Sequence, residues 1–340
     1  MQLFFFTKMS NILITGATGF IGSFIVEEAL RQGMNVWAAV RKTSSKAYLK
    51  DPRIHLTELN LNDKEELKHQ LRGLHFDYVV HAAGVTKSLH ASDFAKTNTE
   101  GTRHLAEALT ELQMPLRKFV FISSLSIFGP VHEEQPYQEI TEDDQPQPNT
   151  AYGRSKLAAE ELLAEIPGLP YVILRPTGVY GPRERDYFMM VKSIRSHTDF
   201  AVGFKPQVIT FVFVTDVVQA VFLALDHGKC GRKYFLSDGC EYSSRTFSDL
   251  VRQELGNPWL LRIKAPIWLL RVITFCGEWV GRLTGKVTAL NNDKYHIMKQ
   301  RNWRCDIRPA REELGYVPKV QLAEGVRLTV AWYRERNFKF

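Results

Sequence analysis

Cysteine is scarce in this chain. Four occur in 340 residues, Cys230, Cys240, Cys276 and Cys305, and none forms a C-x-x-C pair. That excludes a disulfide scaffold and argues against a cysteine zinc site. Reduced thiols in a cytoplasmic protein are the expected state. Long apolar runs are missing too. No window of about 18 uncharged apolar residues exists, so no segment reads as a membrane-spanning helix. The apolar run Leu3–Phe6 is too short for a signal-peptide core, and Met9, directly before strand-like sequence, is a candidate start. The ten histidines form no H-x-x-x-H pattern, and no metal site is expected. No internal repeat is visible.

What remains is globular. Hydrophobic residues make up 44% and charged residues 24%, which excludes disorder and fibrous repeats. The net charge of +7 is uneven. Asn257 to Phe340 holds 16 basic and 7 acidic residues, a local +9 that leaves −2 for the rest. These cations alternate with acids and apolar residues and match no nucleic-acid reader motif, so no nucleic-acid partner is expected. An anionic membrane surface or an acidic substrate suits them better.

Short apolar runs recur at Asn11–Thr15, Asn35–Val40, Arg53–Thr57, Phe76–His81, Lys118–Ile122 and Tyr171–Leu174. Helical stretches separate most of them, notably Asn98–Leu112 and Ala151–Glu165. This alternation predicts an α/β fold with a doubly wound parallel sheet. Gly129–Thr150, with four prolines, reads as a loop. The dinucleotide-binding domain is expected over residues 1–181. A smaller C-terminal substrate-binding lobe is expected over 182–340, with 209–228 returning to the first domain and Ile209–Val214 as one more core strand.

Gly16-Ala17-Thr18-Gly19-Phe20-Ile21-Gly22 joins the first strand to the first helix. Glycines there let backbone N–H groups approach a pyrophosphate, and the helix N-terminus adds partial positive charge. The strand–turn–helix context at the N-terminus makes this spacing a strong signal. An NAD site usually has an acid about 20 residues on, to bond the ribose 2′-hydroxyl. None occurs from Ala29 to Lys50; the second strand ends instead in Arg41-Lys42-Thr43-Ser44-Ser45. A guanidinium with hydroxyls suits a 2′-phosphate, so NADP(H) is expected over NAD(H).

Tyr152-Gly153-Arg154-Ser155-Lys156 is Y-x-x-x-K at the start of a helix. The i, i+4 spacing puts both side chains on one face. A nearby ammonium lowers a phenol's pKa, and a tyrosine so tuned can take or give the proton of an alcohol or carbonyl. Ser123-Ser124-Leu125-Ser126 follows the fifth strand, at the end where open α/β sheets bind ligands.

TGATGFIG, HAAG (His81–Gly84), SSLSIFG, YGRSK and RPTGVYGP (Arg175–Pro182) occur in order. Together they resemble the extended short-chain dehydrogenase/reductases of the NAD-dependent epimerase/dehydratase family. The resemblance covers nearly the whole chain and implies a Rossmann domain with a C-terminal substrate lobe. It implies Tyr152 as acid/base, Lys156 as its electrostatic partner and Ser124 as the third member. It places Asn60 and Leu61 beside the adenine. Ala82, Ala83, Gly84 and Asn98 would line the cofactor, and Thr177 its nicotinamide side.

Three departures narrow the choice. The dehydratases carry Asp-Glu after the catalytic hydroxyl, where this chain has Leu125-Ser126. The nucleotide-sugar enzymes commonly carry Asn for the substrate diphosphate, where this chain has Gly178. The cofactor pocket lacks the acid typical of enzymes that retain NAD through a catalytic cycle. RPTGVYGP, the segment Pro266–Gly285 and the tail from Lys294 are most similar to the 3β-hydroxysteroid dehydrogenase-like branch. That implies hydride exchange with a secondary alcohol or ketone on an apolar substrate. A nucleotide-sugar epimerase using the same triad is the alternative, and a non-catalytic cofactor sensor is disfavoured by the complete triad. Thr86, Lys87, Ser126, Tyr180 and Arg183 are candidate substrate contacts. Met189 and Met190, with Tyr187 and Phe188, could line the substrate mouth or be ordinary core. His81 reads as a packing residue.

Pro266 suits a helix start and Gly285 its end. Between them Arg271, Glu278 and Arg282 share one face, and Leu269, Val272, Ile273, Cys276, Val280 and Leu283 the opposite one. Packing on the core is the ordinary outcome; a lid or a peripheral membrane contact are the others. The resemblance also implies a homodimer, through Asn98–Leu112 and Ala151–Glu165.

Overall fold

The structure is a computed structural model that describes residues 10–284 and 291–339. A seven-stranded parallel sheet forms its centre. Strands β1 (Asn11–Thr15), β2 (Asn35–Val40), β3 (Ile54–Glu58), β4 (Tyr78–His81), β5 (Lys118–Ile122) and β6 (Tyr171–Pro176) lie in the order β3-β2-β1-β4-β5-β6. The strand Lys233–Leu236 adds to the outer side of β6. The order reverses between β1 and β4, which opens a crevice at their C-terminal ends.

The sheet is covered on both faces, which is why its strands are nearly continuous apolar runs. Side chains alternate across it. Ile12, Ile14, Val80, Val120 and Leu174 pack with Ile25 and Val26 of helix α1 (Phe20–Arg31) and with Val217 and Val221 of the helix Val214–His227. Leu13, Val79, Phe121 and Ile173 pack with Leu105, Leu109 and Leu163 on the other face. Beneath the helix Ala151–Glu165, buried Arg175 holds buried Glu160 at 2.6 Å, a paired arrangement that removes the cost of either charge alone.

The second lobe has an aromatic core built on Tyr180, Phe188, Phe211, Phe213, Phe247 and Tyr333. Here the structure departs from the sequence reading. Ile209–Val214 does not join the central sheet. Phe211–Phe213 pairs instead with Gly178–Tyr180 in a two-stranded sheet. The place beside β6 is taken by Lys233–Leu236, a strand the sequence reading does not anticipate. The helix Val214–His227 packs on the central sheet. The helix Arg308–Leu314 packs there too, against Lys233–Leu236. The two lobes are therefore interleaved along the chain. Among the described residues, no helix is long and apolar enough to cross a membrane.

Candidate active site

The phosphate loop comes directly off β1. Gly16 sits at φ +68, and a Cβ there would lie 2.5 Å from the carbonyl oxygen of Ala82. A Cβ on Gly22 would overlap the Gly16 carbonyl. Both positions therefore require glycine. Gly19 caps α1 with no side-chain bond, and no acid occupies the first turn. The positive end of the helix dipole is left open to the crevice.

That crevice, about 240 Å³, is lined by Gly16, Thr18, Gly19, Arg41, Ser44, Asn60, Leu61, Ala82, Ala83 and Gly84. Glycine backbone, a bare helix N-terminus and an exposed guanidinium fit a dinucleotide whose pyrophosphate rests on α1. Phe20 and Ile21 turn away and pack on the second-lobe core. Asn98 is fully buried, and its amide is spent on the protein. It accepts from Val85 N–H at 2.8 Å and donates to the Val85 carbonyl at 3.0 Å and to Ser155 Oγ at 2.9 Å. It thus ties the loop after β4 to the helix that carries Tyr152.

His81 is a neutral packing group. Thr102 donates its proton to the Asn98 carbonyl at 2.6 Å, so it accepts from His81 Nε2 at 2.9 Å. His81 Nδ1 then accepts from Thr15 at 2.7 Å. Burial, with Lys156 nearby, pushes its pKa down to about 3.

Ser124 lies two residues after β5 and caps a 3₁₀ turn, its Oγ accepting from Ser126 N–H at 3.1 Å. Thr150 caps the helix Ala151–Glu165 by accepting from Gly153 N–H at 2.9 Å. A Cβ on Gly153 would lie 2.5 Å from the Ser126 carbonyl. This close approach brings Tyr152 beside Ser124. From the second lobe, Asp293 accepts from the backbone N–H groups of Ala151 and Tyr152 at 3.0 and 3.2 Å. Lys156 donates to the Ile122 carbonyl at 2.8 Å and lies 4.5 Å from the Phe121 ring centroid.

The sequence reading expected Lys156 to lower the pKa of Tyr152. In the structure, burial is the larger influence on the phenol. It pushes the phenol up to about 12, against the pull of the nearby Ser124 hydroxyl. Burial likewise brings Lys156 down to about 8, against Glu160. Withdrawal from water penalises the charged form of each group, and the lysine is turned toward a carbonyl.

Beyond Ser124 lies an apolar cavity of about 310 Å³. Ser124, Ser126 and Thr177 stand at one end; Tyr187, Met190, Phe200, Phe211, Phe247 and Ile297 form much of the wall. Gly178 lies in this wall too. A Cβ there would come within 2.7 Å of the Tyr187 hydroxyl. A smaller cavity of about 110 Å³ is lined by Thr86, Lys87, Ser126, Tyr152, Asp186 and Lys294, among others. Asp186 pairs with Lys87 and, at 2.9 Å, with Lys294. Although burial works against it, these lysines hold its carboxyl below the ordinary value.

Two expected substrate contacts lie elsewhere. Tyr180 is fully buried in the second-lobe aromatic cluster, where Gly325 makes room for its ring. Arg183 is sandwiched between the rings of Phe24 and Tyr48 and donates to Ser23 and Glu27 on α1. Tyr180 thus packs within the second lobe, and Arg183 packs between the lobes. Of the Met–aromatic group, Tyr187 and Met190 line the cavity, Phe188 packs on Tyr333, and Met189 faces solvent. Asp186, Asp293, Lys294 and Ile297 were not anticipated. No local motif marks them, because only the return of the distant chain brings them to Tyr152.

Sheet order, glycine cradle and the Ser–Tyr–Lys set together define a dinucleotide-binding oxidoreductase-type site. The sequence model of the NAD dependent epimerase/dehydratase family matches residues 12–236. The chain belongs to this family, whose members are enzymes of the extended short-chain dehydrogenase/reductase type. It is 28% identical to a UDP-glucose 4-epimerase of Vibrio cholerae, covering 96% of each chain. It is 24% identical to the decarboxylating sterol-4-alpha-carboxylate 3-dehydrogenase of Candida albicans, covering 96% of this chain and 99% of that one. The solved UDP-glucose 4-epimerase of Thermotoga maritima superposes with a TM-score of 0.76 at 26% identity, covering 96% of this chain and 99% of that one.

Proposed function

We propose that this protein is a cytoplasmic oxidoreductase that exchanges hydride between NADP(H) and a secondary alcohol or ketone on an apolar small molecule such as a sterol. The observation that carries this reading is the apolar cavity at Ser124, which shares Ser126 and Ile297 with the smaller cavity that Tyr152 lines. Its wall is mostly aromatic and aliphatic, and Gly178 has no room for a diphosphate-binding side chain. The sterol dehydrogenase relative agrees with it in chemistry.

A bound NADP⁺ would supply the hydride acceptor for the carbinol carbon, and Tyr152, as its phenolate, would take the hydroxyl proton. In reduction Tyr152 would give that proton back; its raised pKa keeps the phenol protonated at neutral pH. Ser124 holds the substrate oxygen. Lys156 would meet the nicotinamide ribose and face the phenolate. Arg41 and Ser44, which line the adenosine end of the crevice, would take the 2′-phosphate.

The test is reduced-nicotinamide absorbance, with NADP⁺ or NAD⁺ offered alongside sterol, bile-acid and aromatic alcohols. A sustained rise with an apolar alcohol supports the reading. One observation favours the alternative, a nucleotide-sugar epimerase. Lys87 and Lys294 flank Asp186 beside Tyr152, where an anionic substrate would meet cations. Conversion of a UDP-sugar with no net change in absorbance would establish that instead.

A further inference from the structure

The helix Ile267–Thr284 leaves its apolar face uncovered. Leu270 and Thr274 are buried, but Trp268, Val272, Phe275, Trp279 and Leu283 are 67%, 51%, 72%, 63% and 67% exposed. They follow one another at steps of three and four residues, so they form a single stripe along the helix. The expected contact of this helix with the core is therefore made by its narrow side only. A monomeric soluble surface rarely shows so long a row of aromatic and aliphatic side chains without a partner.

The exposure continues into the chain just before the helix. Leu261–Ala265 pairs in parallel with Thr198–Val202, with Phe200 opposite Ile263. Phe200, Leu261 and nearby Trp259 are each more than half exposed. Cations predominate in this segment. From Leu261 to Thr284 the chain holds Arg262, Lys264, Arg271 and Arg282 against a single acid, Glu278. Arg262 is paired with Asp249. Lys264 lies over the exposed Phe204 ring, and neither it nor Arg271 has a carboxylate partner among the described residues.

We propose that this face docks on an anionic lipid surface. Tryptophan and phenylalanine rings in a basic segment match the boundary between headgroups and acyl chains in both polarity and charge. The helix falls short of a span, so it lies in the plane of the interface. The docking face also adjoins the substrate cavity. Phe200 and Val202 belong both to the paired strands and to the cavity wall. Ile297 and Met298, also in that wall, lie on the helix Asn292–Lys299, which packs on Ile267–Thr284 and accepts its Glu278 as a partner for the Asn292 N–H at 2.9 Å. A docked protein would hold the cavity beside the bilayer. This link to the cavity rests on the proposed apolar substrate; the docking itself does not.

The test is co-sedimentation of the full chain with vesicles of phosphatidylcholine alone or with added phosphatidylglycerol. Binding is expected to the anionic vesicles, with a blue shift of tryptophan emission and loss at high salt. The triple variant Trp268→Ser, Phe275→Ser, Trp279→Ser should weaken it at least about tenfold with an unchanged melting temperature. Lys264→Glu with Arg271→Glu should do the same. The proposal is overturned if the wild type stays in the supernatant, or if it binds both vesicle types alike. It is also overturned if the substitutions leave binding intact, or if they convert a dimer to a monomer while lipid binding is absent. That last result would give the face to a second copy of the chain.

Discussion

The Tyr187 hydroxyl stands 2.7 Å from the point where a β-carbon on Gly178 would begin. Tyr187 is not free to withdraw, because its ring stacks on Phe247 at a centroid distance of 4.7 Å. One wall of the cavity is thus closed by an aromatic side chain at Gly178. The consequence is measurable. Gly178→Ala should destabilise the protein by about 1–3 kcal/mol, the usual cost of overpacking. Adding Tyr187→Phe should return part of that loss, and a double-mutant cycle of urea midpoints would read the coupling. Additive effects would mean the two residues do not compete for space.

Tyr152→Phe removes the proton carrier. Turnover should fall about 10²–10⁴-fold, the usual worth of general acid–base catalysis, with cofactor affinity little changed. Near-normal turnover would transfer the role to another group.

Arg41 faces the crevice without an acid near the expected ribose position. Arg41→Ala should weaken NADPH binding by about tenfold or more, equivalent to about 1.4 kcal/mol, and leave NADH binding nearly unaltered. Fluorescence titration with both cofactors checks this. Equal dissociation constants in the wild type would remove the preference itself.

Asp293 reaches from the second lobe to cap the first turn around Tyr152. Asp293→Ala should cost about 1 kcal/mol of stability, the typical value of a lost cap. Turnover should fall further than that loss explains, since a displaced Tyr152 departs from reacting distance. A fall in kcat with substrate KM nearly unchanged identifies positioning. Parallel loss of folded protein and activity would reduce Asp293 to a stability role.

His81 is held neutral by burial down to about pH 3, whereas a free histidine takes a proton near 6.5. Below pH 6.5 the unfolded chain therefore binds a proton that the folded chain refuses, and stability falls as pH drops, up to about 1.4 kcal/mol per unit. His81→Gln should be less stable at pH 7 yet lose less between pH 7 and 5.5 than the wild type does. Urea unfolding at both pH values gives the comparison. An identical slope in the two proteins would mean that His81 does not titrate on unfolding.

Much of the fold is legible in the sequence for a local reason. NILIT and YVVH are apolar on both faces because both faces are covered, and the glycine turn lies between a strand and a helix with no gap. The helix Ala151–Glu165 begins and ends where its pattern says, since Thr150 supplies the cap. Phe211–Phe213 and Lys233–Leu236 are harder to read. Both are short apolar runs, and only competition for the edge of β6 decides which one joins the sheet. Arg183 misleads because a charged residue beside a motif suggests a ligand, while its stacking partners Phe24 and Tyr48 lie far away in sequence.

By itself the sequence determined the dinucleotide cradle, the Ser124–Tyr152–Lys156 set and the parallel sheet. Each depends on residues a few positions apart, where backbone geometry and side-chain period act directly. Tertiary structure alone decided what surrounds Tyr152. Asp293 and Lys294 arrive from more than 140 residues away, and Tyr187 fills the space at Gly178. It also decided that burial, more than the neighbouring ammonium, governs the Tyr152 phenol, because withdrawal from water is a property of the packed molecule and of no short segment.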